Sequence, residues 1–386
     1  MSGRRRLLAE HVVSPDGVLH EAVVEIDGPT LVGCRPGPPG DDAALEQVSG
    51  WVVPGFVDTH VHGGGGADYA TEDPAEALRA RAFHASHGTT TSFASLVTAP
   101  VDVLCRQLAV LAELVADGHF AGIHLEGPFL SPAQRGAHDP AQLRPPSPAD
   151  VERLLDAADG ALALVTLAPE LPGALDAIVQ LTDAGVRVAV GHTDSNDAGV
   201  AAALDAGASV ATHLFNAMRG LHHREPGPVP RLTTDPRVAV ELIADGFHLH
   251  PEVLRLVVAA AGPERTMLVT DAMVAAGMPD GSFRLGGLDV AVVDGMARLV
   301  RDDGTPGSIA GSTLTMAAAF ERMTAVLGRV DLVAALAAST PAERHGLTEV
   351  GRLAPGRRAD LCVVDDAGRL RRVMQAGRWR DGPEAA

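Results

Sequence analysis

Val52-Val53-Pro54-Gly55-Phe56-Val57-Asp58-Thr59-His60-Val61-His62-Gly63 carries an apolar run into two histidines one residue apart, and Gly63-Gly64-Gly65-Gly66 then breaks the chain. In a strand, side chains i and i+2 share a face. His60 and His62 therefore aim at one point near the carboxyl end of a buried strand. Imidazole nitrogen is a common ligand for zinc and other first-row metals, so the pair makes a preset clamp. Taken alone, His-x-His also suits two polar residues that merely end a strand. The surrounding chain decides between these readings.

Outward from this stretch, strand-like and helix-like patterns alternate. Short apolar runs at 52–58, 89–95, 122–125, 162–167, 187–191, 209–214, 238–243 and 266–270 make eight strands. Ala/Leu-rich stretches with helical period fill the gaps at 73–87, 99–117, 149–158, 171–184, 197–206 and 251–260. Eight strands alternating with helices predict a (β/α)8 TIM-like barrel. A doubly wound sheet fits less well, because no G-x-G-x-x-G follows the first strand. Residues 277–307 interrupt the alternation with a hairpin-like pattern around Val292-Val293-Asp294-Gly295-Met296-Ala297, read as an insertion after the eighth strand. Both chain ends carry short strands punctuated by turns, such as Pro15-Asp16-Gly17 and Asp366-Ala367-Gly368. Neither end has enough strands to bury a face alone. The expected division is a small β-sandwich domain from residues 1–53 and 350–386, with the barrel at 54–349.

Composition narrows the function. Hydrophobic residues make up 46% of the 386, so a large core is available, but aromatics are only 3% and Ala, Val and Leu must build it. The net charge is −18, which argues against nucleic-acid or anionic-membrane partners. Any anion site must be a local cluster of Arg and His, since the chain has no lysine. The 3 cysteines are widely spaced and imply neither a disulfide framework nor a zinc ribbon. Arg4-Arg5-Arg6-Leu7-Leu8-Ala9 is stopped by Glu10 and His11, too early for a signal-peptide core. A cytoplasmic protein is expected.

The residues with metal or acid–base chemistry cluster at strand ends. His60 and His62 follow the first strand, Glu126 ends the third, His192 the fifth and His213 the sixth, and Asp271 follows the eighth. In a barrel all strand carboxyl ends meet at one face, where active sites lie. Any one of these residues is explained as an ordinary polar strand end; six together point to a metal-dependent site.

Longer motifs add a resemblance. Pro54-Gly55-Phe56-Val57-Asp58-Thr59-His60-Val61-His62-Gly63, His124-Leu125-Glu126-Gly127-Pro128-Phe129, Gly191-His192-Thr193, Thr212-His213-Leu214-Phe215-Asn216-Ala217-Met218, Arg224-Glu225-Pro226-Gly227, Ala244-Asp245-Gly246-Phe247-His248, Leu268-Val269-Thr270-Asp271 and Ile309-Ala310-Gly311-Ser312 occur in order along the chain. Together they resemble the amidohydrolase superfamily and, within it, the N-acetylglucosamine-6-phosphate deacetylase family. The resemblance implies metal-dependent hydrolysis of the acetamide of N-acetyl-D-glucosamine 6-phosphate. It implies that Glu126, His192 and His213 hold a shared metal, and that His60 and His62 hold a second one. Zinc is the leading metal, with iron, manganese or cobalt as alternatives. Asp271 becomes the general acid/base and His138 lies against the acetyl carbonyl. Ala137, Asn216, Ala217, Arg224, His248, Ile309, Ala310 and Gly311 match positions that contact the sugar phosphate. A homodimer with the site near the subunit boundary is implied as well. Many binuclear relatives bridge their metals with a carboxylated lysine; this chain has none, and Glu126 is placed to bridge instead. A deacetylase for another N-acetylhexosamine phosphate, such as the galactosamine epimer, an N-acyl amino acid deacylase and a metal-free scaffold are the alternatives.

Overall fold

The computed structural model describes residues 3–37 and 45–380. The outermost residues of the expected small domain, 1–2 and 381–386, and its segment 38–44 lie outside that range. Contacts divide the chain into two units, one of Thr59–Arg81 and Ser92–Leu314, the other of Met1–Asp58, Ala82–Thr91 and Thr315–Ala386.

Eight strands form one sheet in sequential order: Phe56–Asp58, Thr89–Leu96, Gly122–Glu126, Leu162–Leu167, Arg187–Val190, Val210–Ala211, Ala239–Ile243 and Thr266–Val269. The paired strands from the second to the eighth run parallel. Every residue of Thr89–Leu96, Gly122–Glu126 and Ala239–Ile243 is buried, as expected for strands covered on both faces. The sheet nearly closes into a barrel. Beyond the strand ends, the Asp271 N–H donates to the His60 carbonyl (2.8 Å) and the His62 N–H to the Ala272 carbonyl (2.8 Å).

Local signals set the helices. In Pro148–Ala158, Ser147 accepts from the Asp150 N–H, Pro148 opens the first turn, and the left-handed Asp159 ends the last. Val151, Leu154 and Ala158 face inward at spacings of three and four residues. Removing such a cap typically costs about 0.5–2 kcal/mol. Asn196 likewise caps Asp197–Asp205 by accepting from the Gly199 N–H. A short helix at Val229–Thr234 has no counterpart in the sequence reading.

The first expected strand, 52–58, is two strands. Glu46–Pro54 belongs to a different sheet from Phe56–Asp58. Gly55 separates them, where a Cβ would lie 2.3 Å from Thr90 Oγ1, so only glycine fits.

The other sheet has seven strands. Arg4–Ser14, Gly17–Asp27, Thr30–Pro36 and Glu46–Pro54 come from the start of the chain, and Leu361–Val364, Leu370–Gln375 and Arg378–Trp379 from its end. It is antiparallel except where Arg4–Ser14 runs parallel to Glu46–Pro54. Leu7, Val24, Ile26, Leu31, Val52, Leu361 and Met374 fill its core.

The insertion is a four-stranded antiparallel sheet of Gly281–Leu285, Leu288–Val293, Met296–Val300 and Pro306–Ile309. Its central turn places Asp294 and Gly295 at φ 51° and 75°, the left-handed pair of a tight hairpin. The Asp280 carboxylate accepts both of their N–H groups. Val97, Met273, Leu285, Val290, Val292 and Ala310 form the core beneath this sheet.

Candidate metal centre

The strand-end residues meet around one carboxylate. Glu126, 3% exposed, closes the third barrel strand. Its Oε1 lies 3.2 Å from His192 Nε2 and 3.0 Å from His213 Nε2. Its Oε2 lies 3.2 Å from His62 Nε2, 3.6 Å from His60 Nε2 and 3.5 Å from His138 Nε2. Asp271 Oδ1 completes the second side at 3.2 Å from His62 and 3.4 Å from His60. Two groups able to hold a metal result, His60–His62–Glu126–Asp271 and Glu126–His192–His213, with Glu126 in both. Asp271 thus sits among the ligand atoms, beyond the acid/base role expected from sequence.

The hydrogen-bond pattern fits cations between these groups. His192 Nδ1 faces the Gln134 carbonyl at 3.0 Å and must donate to it. In the neutral ring its Nε2 then carries a lone pair, aimed at Glu126 Oε1 and 3.1 Å from His213 Nε2. His60 Nδ1 donates to the buried Glu241 carboxylate at 3.0 Å, so in the neutral ring its Nε2 lone pair points at His62 Nε2, 3.1 Å away. Facing lone pairs on acceptors repel unless positive charge lies between them.

The electrostatics agree. Against the upward push of burial, His60 and the surrounding imidazoles hold the Glu126 carboxyl well below the usual carboxylate range. Asp271 is pulled down to about 2, His60 and His62 outweighing burial and Glu126. Burial pushes the His62 ring down, but Asp271 and Glu126 bring it up to about 9. His60 is likewise raised, against burial, by the same carboxylates. The site therefore keeps its anions ionised and calls for positive charge beside them. His124 differs: burial and then His60 push it well below its ordinary value, and it serves the barrel interior between Ser95 and Thr166.

Backbone strain gathers at the same place. His192, His213 and Asp271 have φ of 46°, 24° and 49°. Such conformations cost about 1–3 kcal/mol each and persist where the surroundings impose them. Here they turn side chains into the mouth of the barrel.

A cavity of about 490 Å³ opens over the centre. His62, Glu126, Ala137, His138, His192, His213, Asn216, Ala217, His248, Asp271, Ile309 and Gly311 from the sequence reading line it. His60 is fully buried behind His62, and Ala310 is buried in the core of the inserted sheet. Arg224 is not part of the lining; it is exposed in the loop after the sixth strand. His248 Nδ1 is held 2.6 Å from Asp245 Oδ2, which leaves Nε2 for the cavity.

Three residues escape the sequence reading. Arg135 lines the cavity, is exposed, and has no side-chain partner among the described residues. Gln134 orients His192 through its carbonyl, a contact with no sequence signature. Glu241 is fully buried beneath His60. Its signal was present: a lone acid inside the apolar run Val238-Ala239-Val240-Glu241-Leu242-Ile243.

Comparison with known proteins follows the same lines. Residues 51–380 match the amidohydrolase family. The chain is 36% identical to the N-acetylgalactosamine-6-phosphate deacetylase of Escherichia coli O157:H7 over 378 residues, 96% of this chain and 98% of that protein. It is 36% identical to the N-acetylglucosamine-6-phosphate deacetylase of Vibrio furnissii over 335 residues, 85% of this chain and 82% of the other. A solved structure of N-acetyl-D-glucosamine-6-phosphate deacetylase from Mycobacterium smegmatis, an aspartate-to-alanine mutant in complex with N-acetyl-D-glucosamine 6-phosphate, is similar with a TM-score of 0.94. Identity to it is 45%, covering 98% of this chain and 99% of that one.

Proposed function

The chain belongs to the amidohydrolase family, and from that premise we propose that it hydrolyses the acetamide of N-acetyl-D-glucosamine 6-phosphate to glucosamine 6-phosphate and acetate. The observation that carries the reading is Glu126, whose two oxygens serve two ligand groups at the floor of one cavity. The shared group is Glu126, His192 and His213; the second is His60, His62, Asp271 and the other oxygen of Glu126. In this lysine-free chain no carboxylated lysine is available to join the two groups, and Glu126 is the residue common to both. Zinc suits the imidazole and carboxylate donors best, and iron, manganese or cobalt also suit them.

A divalent cation held by Glu126, His192 and His213 would supply a water of lowered pKa and polarisation of the amide carbonyl. The chain supplies the rest. Asp271, held ionised, accepts the proton of the attacking water and returns it to the leaving nitrogen, so that a neutral amine departs. His138 receives the Thr98 N–H at Nδ1 (3.4 Å), so its own proton is on Nε2, facing the cavity. From there it donates to the acetyl oxygen as charge develops.

The phosphate needs cations inside a chain of net charge −18. Arg135 is the arginine lining the cavity, and His248 lines it too. Guanidinium suits phosphate because its planar fork makes two parallel hydrogen bonds. Arg219, by contrast, is already committed to Asp194 at 2.7 Å. Arg224 lies outside this lining, and its proposed place is at the phosphate of a second copy in a homodimer. An apolar hollow of about 490 Å³ lined by Phe247, Val293, Met296, Val300 and Pro306 supports such an association. Phe247, 41% exposed, adjoins His248 in the chain.

The galactosamine epimer is the second reading, since a relative of nearly the whole chain length acts on it. Measuring kcat/KM for both epimers on metal-loaded protein decides. A preference for the glucosamine epimer is expected; a preference for the other reassigns the substrate, and acetate from neither overturns the reading. Among the described residues no helix is long and apolar enough to cross a membrane.

A further inference from the structure

Glu241 sits in the seventh barrel strand with no solvent exposure. A buried carboxylate is costly to desolvate unless donors satisfy it. Its Oε2 has two: the Nδ1–H of His60 at 3.0 Å and the backbone N–H of His213 at 3.3 Å. One oxygen therefore touches a member of each ligand group, beneath the floor that Glu126 spans from above. Its Oε1 has no hydrogen-bond partner among the described residues. A residue present only to fill the barrel would not need a charge. Around His124 the interior uses neutral hydroxyls: Ser95 and Thr166 bond its two ring nitrogens, and Thr212 bonds Thr166.

We propose that Glu241 is the positioning residue that turns the His60–His62 pair into a second divalent-cation site. It accomplishes two things. It fixes the His60 ring with the Nε2 lone pair toward Glu126 and Asp271, and its negative charge, felt through Nδ1–H, makes that nitrogen a stronger ligand. The other second-site histidine has no such support, for His62 Nδ1 has no hydrogen-bond partner among the described residues. The first site draws its orientation elsewhere, from the Gln134 carbonyl on His192. Glu241 thus separates the two groups: its charge acts on His60 through the ring, but on His213 only through a backbone N–H. The inference rests on the proposed metal dependence and not on the identity of the sugar.

Glu241→Gln is the informative change. The amide oxygen still accepts from His60 and from the His213 N–H, so shape and hydrogen bonds are kept while the charge is removed. The measurement is zinc bound per chain at a series of buffered free-zinc concentrations, with cobalt absorption as a second readout. Wild type is expected to load in two steps. In Glu241→Gln one step stays in place and the other moves to about 10–100-fold higher free metal, the range for loss of such an outer partner. Glu241→Asp, which keeps charge but shortens reach, should fall between the two. Both steps unmoved in Glu241→Gln would overturn the proposal. Both steps moved together would overturn it too, because that is the mark of a general structural role. A single loading step in wild type removes the second site itself. Two-step loading with no acetate released from either hexosamine phosphate leaves Glu241 in its role and defeats only the substrate reading.

Discussion

The backbone N–H of Thr98 lies 3.4 Å from Nδ1 of His138, and this contact decides which nitrogen of the ring carries the proton. Nε2 is left as a donor, 3.5 Å from Glu126 Oε2 and edge-on to the His192 ring at 4.5 Å between centroids. His138 belongs to neither ligand group. His138→Ala should therefore lower kcat by roughly 10²–10³, the usual effect of losing one oxyanion donor. Metal content should not change. Steady-state kinetics with elemental analysis checks this, and a near-wild-type kcat removes His138 from the role.

Asp271→Asn separates base from ligand. The amide cannot accept the water's proton, so kcat should fall about 10²–10⁴-fold. Because Oδ1 stands 3.2 Å from His62 Nε2, the second cation should bind more weakly as well. Raising free metal restores occupancy without restoring turnover if the proton transfer is the larger loss. Recovery of full turnover at saturating metal would make Asp271 a ligand alone.

Arg135→Ala tests the phosphate contact. A hydrogen bond to a charged group contributes about 1.5–3 kcal/mol, and Arg135 is exposed, so kcat/KM for the 6-phosphate should fall about 10-fold or more. The slow hydrolysis of unphosphorylated N-acetylglucosamine should barely change. Equal slowing of both substrates would move Arg135 away from the phosphate.

Arg224 is tested in mixed subunits. Neither Arg224→Ala nor Asp271→Asn alone should support normal turnover. Co-refolding the two should restore a fraction, because one site in the mixed dimer combines an intact Asp271 with an intact Arg224 from the other copy. Absence of any restoration by activity assay contradicts the shared site.

The parallel barrel was legible because its strands are buried on both faces and read as apolar runs between helices. The ligand candidates were legible because a barrel gathers its strand ends, while the grouping of His192 and His213 with Glu126 came only from the resemblance to the amidohydrolase superfamily. Other features leave no periodic trace. Val52-Val53-Pro54 and Phe56-Val57-Asp58 are similarly apolar, and nothing in their pattern assigns them to different sheets. The sixth strand, expected over 209–214, shortens to Val210–Ala211 because the chain turns at Thr212 to present His213. Motifs state residue type and order but not reach, so Arg224 was readable and its distance from the cavity lining was not. Arg135, an exposed loop arginine, carries no signal at all. Backbone donors and acceptors such as the Thr98 N–H and the Gln134 carbonyl are invisible by nature.

Glu126, His192 and His213 are proposed to hold the cation on which deacetylation of an N-acetylhexosamine 6-phosphate depends. The most direct test of this proposal is acetate release from N-acetyl-D-glucosamine 6-phosphate by chelator-stripped protein as zinc is returned stepwise, in wild type and in His192→Ala. No turnover is expected without metal; turnover should rise with the first equivalent bound in wild type and be absent at every zinc concentration in His192→Ala. Undiminished acetate release from fully stripped protein, or a His192→Ala variant that recovers with zinc as wild type does, would contradict it.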